Sequence, residues 1–117
     1  VFSDMKGFLK SIHYALRGFR FGWQERNFRL HLLALAGVIP GGLLLGLSSL
    51  EWLSVALCSG MVMAAELGNT ALEKLTDLVH PEQHPGAGKI KDLGAAAVLV
   101  SAFTALVVAL ILLYRHL

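Results

Sequence analysis

Charge is scarce in this chain. Asp, Glu, Lys and Arg make up 15% of its 117 residues, against roughly a quarter in ordinary soluble domains. With 56% hydrophobic residues and a mean hydropathy of +0.65, a small soluble globule is excluded. Cysteine occurs once, as Cys58 within an apolar run, so no intramolecular disulfide can form and a free core thiol is expected. Proline is nearly confined to one stretch, with Pro81 and Pro85 together and Pro40 alone inside an apolar block. Internal repeats and low-complexity segments are lacking. The first apolar block follows Arg29 and has no small-residue cleavage site, so a cleavable signal peptide is not expected. The basic residues form one small face that lipid headgroups explain, so no nucleic-acid partner is expected.

What is present is apolar sequence in blocks of bilayer length. Together they predict a single all-α integral membrane domain over residues 1–117. Met5, Phe8, Leu9, Ile12, Leu16, Phe19 and Trp23 recur at steps of three or four, with Lys6, Lys10, His13, Arg17 and Arg20 opposite. That pattern predicts an N-terminal amphipathic surface helix over about 5–24. A first span is expected over 30–47, reaching ~27 Å, with Pro40-Gly41-Gly42 loosening it. A short turn at Ser48–Glu51 returns the chain, and Trp52 suits an interface. The second helix is expected over 52–79, including an extension beyond the membrane. Pro81, Pro85, Gly86 and Gly88 predict a loop, and the third span is expected over 92–114.

Lys and Arg crowd the segment before Leu30, are absent from Ser48–Glu51, and return at Lys74, Lys89 and Lys91. The positive-inside rule then places the N-terminus and the second loop in the cytoplasm of a cell whose inner membrane holds the protein. Glu25, the acidic part of the second helix and Lys91-Asp92 all fall on that side, where ATP is found.

The stretch from Glu66 to Glu73 carries the chemistry. It follows Trp52–Ala65, a run without one charged residue. Helical spacing gathers Glu66, Asn69, Thr70, Glu73 and Asp77 on one face. A membrane-embedded acid costs ~2.5–3.5 kcal/mol on insertion scales, so a cation, a polar ligand or a hydrogen-bond network must offset it. A packing network between helices is the plain alternative. Small residues mark other faces: Ala56, Gly60, Ala64 and Gly68 on the second helix, roughly 200° from Glu66, and Gly94, Ala97, Ser101, Ala105 and Ala109 on the third. Packing and acidic faces are therefore expected to be separate, and three spans are too few to enclose a polar site, which argues for self-association.

Carboxylates near a membrane surface can bind Mg²⁺ beside phosphate, accept a hydroxyl proton, and work with a lysine that neutralises phosphate. Glu25, Glu66, Asn69, Glu73, Asp77, Lys91 and Asp92 supply these types. The same set suits an ion pathway, so a small ion-conducting or scaffold protein stays open as a different class. Gly86-Ala87-Gly88-Lys89 is not a P-loop, because Gln83 and Ile90 stand where the motif needs Gly and Ser or Thr. His80 and His84, near Asp77, lack a third histidine, and Pro81 intervenes, so zinc is not expected.

The run Glu66-Leu-Gly-Asn69-Thr-Ala-Leu-Glu73-Lys-Leu-Thr-Asp77, then His84, then Lys91-Asp92-Leu-Gly-Ala-Ala-Ala-Val98, resembles the prokaryotic diacylglycerol kinase family, which includes the undecaprenol kinases. The likeness covers nearly the whole chain. It implies a homotrimer of three-span subunits with a surface helix, and Mg-ATP-dependent phosphorylation of a lipid hydroxyl. By position it implies Glu66 as catalytic base, Glu73 with Glu25 as Mg²⁺ ligands, and Asn69 in support. It implies nucleotide contacts at Tyr14, Glu82, Gln83, His84, Lys91 and Asp92. An arginine that contacts ATP in some relatives falls near Gly7, so that contact is either missing or made by Lys6 or Lys10. Glu25-Arg-Asn-Phe-Arg-Leu-His31 looks more like the undecaprenol branch, so undecaprenol is expected ahead of diacylglycerol as acceptor.

Overall fold

The computed structural model describes residues 2–117, which form α1 (Phe2–Trp23), α2 (Arg26–Leu45), α3 (Ser49–Val79) and α4 (Pro85–His116). Val1, the start of the expected domain, lies outside the described residues. α2, α3 and α4 are each long and apolar enough to cross a membrane. With 31 and 32 residues, α3 and α4 reach ~46–48 Å, well beyond a hydrocarbon core of ~30 Å. Their ends must therefore project into water or headgroups.

Capping chemistry explains where the helix ends depart from expectation. α2 begins at Arg26, before the first apolar residue, and closes at Leu45 rather than Leu47. Gly46 adopts φ +72°, and the Leu47 N–H donates back to the Gly42 carbonyl at 3.2 Å. This left-handed stop is open to glycine at little cost. Ser48 and Glu51 are not a free turn. They form a reciprocal capping box, so α3 starts at Ser49. The largest difference is at α4, which begins at Pro85 rather than near Asp92. Proline at the first helical position lacks only an N–H that would be unpaired anyway, and His84 Nδ1 accepts the Gly86 N–H at 2.9 Å. Gly86 and Gly88 lie in the first turns of this helix, and the connection shrinks to residues 80–84.

The interior is thin and largely polar or small. Phe28, Val62 and Leu112 are the buried apolar side chains, beside buried Glu51, Glu66, Thr76 and Ser101. Leucines such as Leu57, Leu99, Leu106 and Leu110 point outward. That distribution suits lipid, which offers apolar side chains no reason to turn inward. Thr76 and Ser101 donate to carbonyls of their own helices, at Leu72 and Ala97.

α3 and α4 make the most extensive contact in the chain, and run antiparallel. They are pinned at both ends: Lys91 meets Asp77 at one, His116 and Arg115 meet Glu51 at the other. The separation of packing and acidic faces does not hold within the chain. Glu66 and Asn69 lie at the interior, and Gly94 and Ser101 of the α4 stripe are buried there. The α3 stripe, Ala56, Gly60, Ala64 and Gly68, is left exposed. The α4 stripe instead meets the face that carries Asn69, where a side chain at Gly94 would overlap the amide.

Candidate active site

Glu66 sits midway along α3 and is 3% exposed. Across from it, on the second turn of α2, His31 brings Nε2 to 3.0 Å from Glu66 Oε1. One turn further along α3, the Asn69 amide Nδ2 donates to Glu73 Oε1 at 3.3 Å. The Asn69 Oδ1 is buried and has no hydrogen-bond partner. It presses against Gly94 of α4, where a Cβ would overlap it. Glycine at 94 is thus what allows the amide to lie between the two helices.

Glu25 precedes α2 and extends toward α3, where Lys74 Nζ lies 3.1 Å from its Oε1. Near the connection between α3 and α4, Lys91 Nζ binds Asp77 Oδ1 at 2.6 Å. Glu82, Gln83, His84 and Lys91 line a cavity of about 580 Å³ there, with Asp77 and His80 opposite. This volume lies within the ~300–1,000 Å³ range of small-molecule sites.

The structure thus brings Glu66, Asn69 and Glu73 onto one buried face, and Glu82, Gln83, His84 and Lys91 around one cavity. It leaves others apart. Tyr14 is exposed on α1, with its ring beside His13, and does not line the cavity. Asp92 points outward on α4, and Glu25 is held by Lys74 rather than by Glu73. His31, Lys74 and Gly94 are the participants that sequence reasoning missed. A titratable His31 inside a spanning segment is itself a functional signal and could have been found on that ground. Lys74 and Gly94 become legible only through contacts made in space.

The donor chemistry bears on a metal. Among the described residues no three His, Cys, Asp or Glu side chains converge as a ligand set. His80 and His84 stack on each other, ring centres 4.5 Å apart, and His84 Nδ1 is already used as a helix cap. Zinc is poorly served. Mg²⁺ asks for less, one or two carboxylates with phosphate oxygens and water completing the shell. Glu73 is half-buried with its carboxylate held by the Asn69 amide alone, which leaves it oxygen donors of the kind that fit such an ion.

Fold and site define a class: a small helical membrane protein with three candidate spans, a buried acid within α3, and a polar-lined cavity where α3 connects to α4. The model of the prokaryotic diacylglycerol kinase family matches residues 13–113. The chain belongs to that family. It is a membrane lipid kinase, a transferase, and membership implies ATP as co-substrate and a lipid as acceptor. Its relatives include the undecaprenol kinase of Bacillus subtilis, 36% identical, with 94% of this chain and 90% of that protein covered. The diacylglycerol kinase of Synechocystis is 39% identical over 86% of this chain but only 58% of its own length. The diacylglycerol kinase of Escherichia coli K12 is 29% identical, covering 92% and 89%.

Proposed function

We propose that the chain transfers the γ-phosphate of Mg-ATP to the primary hydroxyl of a membrane lipid, with undecaprenol ahead of diacylglycerol as acceptor, and that Glu66 is the catalytic base. The observation that carries this is Glu66 itself. It is a carboxylate buried in the apolar part of α3 with a single histidine beside it, on the face that carries Asn69 and Glu73. A burial so costly is retained where the group does chemistry.

In this reading the lipid hydroxyl oxygen attacks the γ-phosphorus. The new O–P bond forms as the bond to the bridging oxygen breaks, and ADP leaves with that electron pair. Glu66 takes the hydroxyl proton. Glu73 and Glu25 are the residues that would hold Mg²⁺, and Glu25 would have to leave Lys74 to do so. A bound Mg²⁺ supplies charge neutralisation. Lys91 supplies more of it once it leaves Asp77, and Glu82, Gln83 and His84 shape the nucleotide cavity. Tyr14 and Asp92 stand apart from that cavity, and a nucleotide contact at either rests on the family resemblance alone. Asn69 keeps Glu73 oriented through its amide.

The acceptor preference rests on the Glu25–His31 sequence and on the near full-length match to the Bacillus protein. The Synechocystis identity favours the second reading, diacylglycerol as acceptor. Phosphorylation of both lipids from labelled ATP by the purified protein, side by side, tests the preference. Faster transfer to diacylglycerol would reverse it.

The distribution of Lys and Arg supports a cytoplasmic site and N-terminus in a bacterial inner membrane. The apolar row on α1, from Met5 to Trp23, is exposed, which suits a helix lying in the headgroup region. The exposed α3 stripe supports a homotrimer: a Cβ at Gly60 or Gly68 would meet nothing within 4 Å in its own chain. Gly60→Leu should then break the trimer in sedimentation experiments. An intact trimer would remove this face from the interface.

A further inference from the structure

We propose that His31 is a positioning residue for the transfer step: its Nε2 holds Oε1 of Glu66, and so reserves Oε2 for the hydroxyl of the acceptor lipid. The proposal rests on the reading of Glu66 as base.

A glutamate side chain has three rotatable bonds, and a free carboxylate presents either oxygen equally. Glu66 meets one polar side chain from another helix, and that is His31 at 3.0 Å. With the proton on Nε2, that ring nitrogen can serve one carboxylate oxygen, and Oε1 is the one it lies beside. The two residues come from different helices, so the setting of the base depends on how α2 lies against α3. His31 and Ser59 are the polar members of an otherwise apolar cavity of about 300 Å³, whose walls include Val38 of α2, Val62 of α3, and Ala102 and Leu106 of α4. The pair therefore stands at the boundary between acidic face and hydrocarbon. A lipid hydroxyl has to be presented at such a boundary, because its chain must stay in apolar surroundings. A residue kept only for packing there would be served by leucine, whereas histidine adds a donor aimed at the one buried acid within reach.

Three variants test this: His31→Leu removes the donor and keeps bulk, His31→Gln retains a donor at comparable reach, and Glu66→Gln removes the base. Each is purified in lipid–detergent micelles. Lipid phosphorylation is measured at saturating diacylglycerol and undecaprenol while Mg-ATP is varied. His31→Leu should lower kcat about ten- to a hundredfold, since misplacement by about an ångström can cost that much, and leave KM for Mg-ATP within about twofold. His31→Gln should recover most of kcat. In the Glu66→Gln background, His31→Leu should cost nothing further, because residues acting as a unit are not additive.

An unchanged kcat in His31→Leu, or His31→Gln no better than His31→Leu, overturns the proposal. If His31→Leu does not assemble, a His31→Gln variant with kcat as low as that of Glu66→Gln, at normal thermal stability, overturns it equally. Full activity in Glu66→Gln would instead overturn the base assignment itself, so the two failures are distinguishable.

Discussion

Two glutamates of α3 are buried to nearly the same depth, Glu51 at 6% exposure and Glu66 at 3%, and each has a histidine from another helix beside it. Their surroundings differ in kind. Glu51 accepts the Ser48 N–H at 2.9 Å, meets His116 Nε2 at 2.8 Å, and has Arg115 at 3.9 Å. Its lone pairs are occupied, its charge is matched, and it joins the first turn of α3 to the last turn of α4. Glu66 has His31 beside it at 3.0 Å, and neither a cap N–H nor an arginine joins that pair. The lesson is that burial alone does not mark a functional acid. A buried carboxylate with few partners is the better candidate, because its burial costs stability that its contacts do not return.

The sharpest way to break this comparison is to remove the charge from each glutamate while keeping its shape. Glu66→Gln should lower lipid-phosphorylation kcat by roughly a hundred- to ten-thousandfold, the range of a general base, with helix content and thermal stability unchanged. Glu51→Gln should leave kcat where it was. Steady-state assays with circular dichroism on the same samples decide it. Equal losses in both variants would mean that depth, and not the number of partners, governs their roles.

A smaller effect is expected where Asn69 meets Gly94. A methyl group at 94 overlaps Oδ1, and the amide must move. The Asn69 hydrogen bond to Glu73 then goes with it. Gly94→Ala should reduce kcat by about tenfold, the scale of one lost orienting contact. It should also raise the Mg²⁺ requirement. A variant with normal Mg²⁺ dependence would show that Glu73 needs no help from the amide.

How much of this was legible beforehand follows physical lines. The spans could be read because lipid imposes long apolar runs, and the acidic face because helical spacing is fixed. Helix ends were less legible. Pro85 reads as a breaker in a list of residues and acts as a starter once His84 caps the helix. Ser48 and Glu51 read as a turn and are a capping box, although Ser followed three residues later by Glu was a usable signal. The packing register was not legible. The α3 stripe is small enough for close approach, yet α4 chose the acidic face, since Asn69 and Gly94 interlock only in three dimensions. Lys74 on Glu25 is likewise a meeting of distant segments that no local pattern announces.

The structural glutamate can be tested in its own right. Glu51→Ala removes the acceptor for the Ser48 N–H and frees His116 and Arg115. The unfolding temperature in detergent should fall by several degrees. The activity of the protein that remains folded should not change, because Glu66 lies about four turns further along α3. Removing Ser48 as well should lower it further, because Ser48 Oγ accepts the backbone N–H of residue 51, which alanine keeps.

The smallest effect expected belongs to Lys74. Its ion pair with Glu25 is solvent-exposed, the lysine side chain at 59% and the glutamate at 36%. Pairs of that kind contribute at most about 1 kcal/mol, so Lys74→Ala should hardly alter stability. The pair does hold Glu25 away from the metal role proposed for it, and it must break before Glu25 can turn to Mg²⁺. Removing a restraint of that size should tighten the apparent Mg²⁺ affinity by no more than about fivefold, the equivalent of ~1 kcal/mol. Salt should mimic the change in the unaltered protein, since screening weakens an exposed pair in the same way. Titration of activity with Mg²⁺ at fixed ATP, at low and moderate salt, reads both. If Lys74→Ala raises the Mg²⁺ requirement instead, the lysine is a partner of the phosphates and not a restraint on Glu25. The boundary between structural and functional charge would then run between Glu51 and the whole of the Glu25–Lys74 corner.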